Sequence, residues 1–258
     1  MSRSRHSRAL VAFGLASSVS LAAPAAFADE GKTTIVLVHG AFADASAWQA
    51  VIPTLQKAGH KVIAVQSPLR SFEDDVATTR RAIEGAKGPV VAVGHSYGGA
   101  VITGAASGAA NVKALVYVTA FAPEANEKIG ALYEKDGKPE LLGALVPDSA
   151  GLVSIDPVQF RPLFAADVPA ERAAVMAATQ KPIAAKNFEG AVATPAWKTI
   201  PSWYLVAQDD RAIPVALQQF MAKRINAKVA NVRASHVPFT SKPKEVAKII
   251  LDAAASAK

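Results

Sequence analysis

The sequence predicts an α/β fold: a mostly parallel sheet with helices on both faces and a helical lid inserted in the core. Three observations carry this. Short β-branched runs alternate with segments of helical period. A glycine-flanked serine lies directly between one such run and the helix that follows. The alternation then stops for roughly 80 residues before it resumes.

Thr34 to Val38 (TIVLV) is a β-branched run, apolar after its threonine, as a strand buried on both faces requires. Trp48, Val51, Ile52 and Leu55 follow at helical spacing, and Gly59 closes that helix. Lys61 to Val65 reads as the next strand. Ser71, three residues before Asp74, caps a helix carrying Val76 and Ile83. Pro89 to Val93 is a third strand, followed by a glycine-rich helix, and Ala114 to Val118 is a fourth. After the interruption come a strand at Trp203 to Val206, a helix around Val215 to Ile225, a strand from Lys228 to Arg233 and a last amphipathic helix from about Lys244 to Ala255.

Residues 1–28 read as a cleaved Sec signal peptide. Arg3, Arg5 and Arg8 precede an apolar stretch from Ala9 to Ala22, and Ala26-Phe27-Ala28 supplies a small-x-small cleavage site. The apolar stretch is shorter than the ~20 residues that span a bilayer. The expectation is an exported protein, periplasmic or secreted, without stable membrane association. Residues 29–122 and 201–258 would form the core, and residues 123–200 the lid. The lid is expected to be helical, with Tyr133, Phe160, Phe164, Phe188 and Trp197 spread through it.

Cleavage removes three of the 28 basic residues and none of the 21 acids, so the net charge of +7 becomes +4. The remaining Lys and Arg are scattered, which argues against nucleic acid as a partner. There is no cysteine. That excludes disulfides, thiolate metal sites and a cysteine nucleophile.

Gly94-His95-Ser96-Tyr97-Gly98-Gly99 is a G-x-S-x-G motif in the strand–turn–helix context it needs. Ser96 would stand at a sharp turn, with Gly94 and Gly98 letting the two backbones pass closely. A serine hydroxyl needs a base. His60 precedes a strand, and His39 and His95 lie inside motifs. His236 follows the strand Lys228–Arg233 and is the expected base. The acid should follow the strand before that one. Asp209 and Asp210 both lie there, the D-R-x-x-P spacing favours Asp210, and Glu124 is a distant second choice. Two backbone N–H groups should hold an oxyanion. Tyr97 supplies one and Ala41, in the loop His39-Gly40-Ala41-Phe42, the other.

VLVHGAFADASAW, GHSYGG, Asp210-Arg211-x-x-Pro214 and Ser235-His236-Val237-Pro238-Phe239 together resemble the α/β-hydrolase superfamily. The branch resembled contains plant methylesterases such as the salicylate-binding esterase, hydroxynitrile lyases and bacterial esterase-like relatives. The resemblance covers nearly the whole mature chain, and Phe160 to Pro169 is similar to the cap of that branch. It implies acyl transfer by Ser96, His236 and Asp210 on an ester, with no metal or organic cofactor, and the lid's aromatic and aliphatic content points to a small, largely apolar ester. Hydroxynitrile lyases of the branch carry threonine after the first-motif histidine and lysine after the catalytic one. Gly40 and Val237 stand there instead, which favours ester hydrolysis. Amide, lactone or thioester hydrolysis, perhydrolysis and a low-turnover ligand receptor share the same residues, and a homodimer is left open.

Overall fold

The computed structural model describes residue 1, residues 33–135 and residues 138–257. The expected signal peptide therefore lies outside the described residues, apart from its first residue. No described helix is long and apolar enough to cross a membrane.

The strands are β1 (Thr34–Val38), β2 (Lys61–Val65), β3 (Val90–His95), β4 (Val112–Val118), β5 (Leu145–Pro147), β6 (Leu152–Ile155), β7 (Ile183–Ala184), β8 (Ser202–Ala207) and β9 (Lys228–Val232). The helices are α1 (Ile52–Lys57), α2 (Phe72–Glu84), α3 (Tyr97–Ala105), α4 (Pro157–Phe164), α5 (Ala170–Thr179), α6 (Val215–Arg224), α7 (Pro238–Ser241) and α8 (Pro243–Ser256).

Six strands form one parallel sheet in the order β2-β1-β3-β4-β8-β9. From β1 the chain moves outward to β2, then crosses back over β1 to β3. Right-handed crossovers in opposite directions put α1 and α2 on opposite faces. α2 packs against α3, and α1 against α8. The reversal of direction opens a crevice beyond the carboxyl ends of β1 and β3, the usual binding position in such sheets. The loop after β1 and the serine turn both lie there.

The central strands are buried, Lys113 of β4 being their one exposed residue, as their Val/Ile/Leu-rich runs require. The edge strands β2 and β9 are partly exposed, and each begins with an exposed lysine, Lys61 or Lys228, which discourages pairing with another chain. Several strand boundaries move from expectation by one or two residues. β3 runs on to His95 because His95 pairs with Val118, and β4 starts earlier, at Val112. The helix expected across Trp48–Leu55 is a 3-10 turn, Ala45–Ala50, followed by α1. Pro53 lacks the N–H that a continuous helix would need there.

Between β4 and β8, residues 123–200 hold α4, α5 and, besides the expected helices, a three-stranded antiparallel sheet, β5-β6-β7. Its hairpin turns at Asp148, whose carboxylate accepts from Ala150 N and Leu152 N, while Gly151 takes φ 75°. The segment's aromatic residues reach into the rest of the molecule. Phe188 packs on Tyr97 and Tyr133 on Phe121, while Trp197 Nε1 donates to Pro123 O at the segment's own start.

Candidate active site

Ser96 sits between β3 and α3 with φ 51° and ψ −123°, a conformation a non-glycine residue adopts only under strain of about 1–3 kcal/mol. Its backbone is held from three sides: its N–H donates to Val118 O, and its carbonyl accepts from Gly99 N and Phe121 N. The glycines make the turn sterically possible. A Cβ at Gly94 would come within 2.4 Å of Gly98 O, and one at Gly98 within 2.6 Å of Val38 O. Ser96 Oγ makes no hydrogen bond to a described residue.

His236 Nδ1 donates to Asp210 Oδ2 at 2.7 Å, and both side chains are essentially solvent-free. Asp210 also accepts from Ala212 N and Ile213 N on Oδ1 and from Gln218 Nε2 on Oδ2. With Nδ1 protonated, Nε2 of His236 is left as an acceptor. Asp209 is exposed and lies 4.0 Å from exposed Arg233, and Glu124 pairs with Lys198. Neither competes with Asp210 for His236.

His95 contributes more than a place in the motif. Its Nε2–H donates to His236 O at 2.8 Å, Thr119 Oγ1 donates to the same carbonyl, and the two imidazoles lie 4.8 Å apart. The turn that carries Ser96 is thereby linked to the backbone of His236.

Tyr97 N opens α3, where first-turn N–H groups have no intrahelical acceptor. The loop carrying Ala41 runs directly against the serine turn, since a Cβ on Gly40 would stand 2.8 Å from Ser96 Cβ. His39 Nδ1 donates to Gly40 O, and its Nε2 accepts from Ser67 N. Among the described residues no three histidine or carboxylate side chains converge as a metal-binding group.

Residues 123–200 touch each of these loops. Tyr133 OH donates to Ala212 O beside the acid, and Ser235, next to His236, donates to Asp167. Phe164 packs on His236, with centroids 5.0 Å apart, and meets Phe42 edge-on. A hollow of about 630 Å³ adjoins them, walled by Phe42, Phe160, Phe164, Met176, Val237 and Phe239 among others. Neither Ser96 nor His236 lines it, so it meets the site through Phe164 and Val237.

Sequence reasoning missed Gln218. Its signal was a glutamine on the buried face of α6, flanked by Leu217 and Met221. It missed Thr119 and Ser67, the donor to His39, as well, because these are set by contacts between distant segments.

Burial pushes His39 down to about 4, against the smaller raising influence of the Gly40 carbonyl, and pushes His95 well below its ordinary value. Unfolded, His39 titrates near 6.5, so between pH 6.5 and 4 the unfolded chain binds a proton that the folded chain does not. This stability is fully present above pH 6.5 and is lost as the pH falls toward 4, by about 3 kcal/mol. His95 acts in the same direction. Thermal melts across this range should show Tm falling with acid, and His39→Gln should flatten the slope. An unchanged slope would remove His39 as a source.

The serine turn, the buried carboxylate–imidazole pair and the crevice they share define a hydrolase of the α/β type. Residues 35–249 match the model of the alpha/beta hydrolase family, and the chain belongs to that family. It is similar to a pyrethroid hydrolase of Sphingobium wenxiniae, 29% identical over 85% of this chain and 87% of the relative. It is also similar to methylesterase 7 of Arabidopsis thaliana, 26% identical over 85% of this chain and 95% of the relative. Among solved structures, a pyrethroid hydrolase from Sphingobium faniae superposes with a TM-score of 0.75 at 25% identity, covering 87% of this chain and 98% of that one.

Proposed function

We propose that the protein is an exported serine carboxylic ester hydrolase acting on small, largely apolar esters. The observation that carries this is the solvent-free His236–Asp210 pair, tied through His95 to the strained turn that presents Ser96. Ser96 Oγ attacks the ester carbonyl while His236 Nε2 takes its proton. The N–H groups of Ala41 and Tyr97 stabilise the oxyanion. His236 then protonates the departing alcohol, and water repeats the steps on the acyl-enzyme to release the acid. Asp210, accepting from His236 Nδ1, keeps the imidazole in the reactive tautomer.

Relatives named as esterases and a pyrethroid hydrolase support the ester as substrate, and the apolar wall beside His236 supports an uncharged group on it. Residues 123–200 act as a lid over the site. The N-terminal basic and apolar run supports export.

One experiment tests these parts together: intact-mass analysis of the protein expressed with its leader, before and after a fluorophosphonate, alongside a panel of neutral and charged p-nitrophenyl esters. The expected result is a chain beginning at Asp29, one label on Ser96, and neutral esters hydrolysed fastest. Tight ligand binding without labelling or turnover would favour a receptor instead, and charged esters reacting fastest would refute the apolar preference.

A further inference from the structure

The stretch from Lys181 to Asn187 sends two polar side chains to the core beside the site. Lys181 is half-buried, and its Nζ donates to Ser67 O at 2.6 Å. Ser67 N donates in turn to His39 Nε2 at 3.1 Å, and His39 Nδ1 to Gly40 O at 2.9 Å. This chain of bonds ends on the loop that carries Ala41.

The other side chain, Asn187, is wholly buried. Its Nδ2 donates to Asp75 Oδ2 at 3.0 Å and to Tyr97 OH at 2.9 Å, and Tyr97 OH donates to the same carboxylate oxygen at 2.7 Å. Asp75 Oδ1 accepts from Leu69 N, and Leu69 O accepts from Ala184 N within that same stretch. Leu69 is held at φ 61° in the process. This second chain ends on Tyr97, the residue after Ser96.

Fastening a lid to a core needs only apolar contact. A buried carboxylate is a costly way to do it unless each of its bonds fixes a position, and Asp75 spends all three of its accepted bonds on this junction. The first chain of bonds ends on Gly40 O, whose peptide unit carries the Ala41 N–H, and the second on the side chain of Tyr97, so that both lead to the N–H groups assigned to the oxyanion and both start from one seven-residue stretch.

We infer that residues 181–187 form a strap that sets the separation of the Ala41 and Tyr97 N–H groups, with Lys181 and Asn187 as positioning residues. The inference rests on the reading of Ser96 as nucleophile. Slackening either end should weaken oxyanion stabilisation and leave ground-state substrate binding alone. Losing a whole oxyanion donor costs about 10²–10³ in kcat, so misplacing one should cost roughly tenfold.

The test compares Lys181→Met, Asn187→Ala and Lys181→Arg with the unaltered protein, using p-nitrophenyl butyrate and a trifluoromethyl ketone whose adduct with Ser96 places an oxyanion in the cradle. Active sites are counted by fluorophosphonate titration, and Tm is measured for each variant. The first two variants should lose about tenfold in kcat with KM within about twofold, and their affinity for the ketone should fall in proportion. Lys181→Arg, which keeps donors for Ser67 O, should restore both. A lower Tm with unchanged kcat per active site and unchanged ketone affinity would overturn the strap while leaving Ser96 as nucleophile. If Asn187→Ala does not fold, Lys181→Met decides alone, since its side chain is half-exposed. Absence of labelling and turnover in the unaltered protein would overturn the nucleophile reading and the strap with it.

Discussion

Replacing Ser96 by alanine is expected to lower kcat for a p-nitrophenyl ester by on the order of 10⁶-fold. Fluorophosphonate labelling should vanish with it, and Tm should hardly change. The stability expectation follows from the geometry: the hydroxyl forms no hydrogen bond to a described residue, so its removal strands no partner. The backbone bonds that hold the turn, from Ser96 N to Val118 O and to Ser96 O from Gly99 and Phe121, survive the substitution. Turnover and a thermal melt on the same preparation check both parts. Activity within tenfold of the original would move the nucleophile to another residue.

Asp210→Asn should cost about 10⁴-fold in kcat, by a different route. Every partner of Asp210 is a donor: two backbone N–H groups on one oxygen, and Gln218 Nε2 and His236 Nδ1 on the other. An amide cannot accept on both sides. If its oxygen stays with Ala212 and Ile213, its NH₂ confronts Gln218 and His236. His236 then moves its proton to Nε2, where it can no longer take one from Ser96. The measurement is kcat together with the ¹⁵N shifts of His236, which report the tautomer. Nearly full activity with Nδ1 still protonated would show that Asp210 is not what holds the imidazole. Gln218→Leu should produce a weaker version of the same defect, since it strips one of four bonds from the carboxylate.

The sheet was legible because its central strands are buried on both faces, and a segment such as residues 35–38 has no other use for four apolar residues in a row. The places of Ser96, Asp210 and His236 at one edge of the sheet were legible for a related reason. In a parallel sheet the loops after strands all emerge on one side, so chain order places the residues. The small sheet β5-β6-β7 was not legible, because its strands are two to four residues long and pair only within the insertion. Gln218, Thr119, Asp75, Lys181 and Asn187 were also hidden. A lone polar residue on a buried helix face or in a long insertion carries no local pattern, and its side-chain partners lie from 5 to 117 residues away.

β8 pairs with β4 directly, Leu115 opposite Ser202, although the whole insertion lies between them. Closing a loop of that size is a logarithmic penalty, and doubling it adds only about 0.6 kcal/mol. The sheet is therefore nearly indifferent to how much chain leaves β4 and returns at β8. A lineage can lengthen, shorten or replace that chain, and so recast the wall beside His236, while the strands that carry Ser96, Asp210 and His236 keep their register. Changes of specificity in this scaffold are open to insertion and deletion as well as to substitution, provided that Tyr133, Asp167, Lys181 and Asn187 still land where they do.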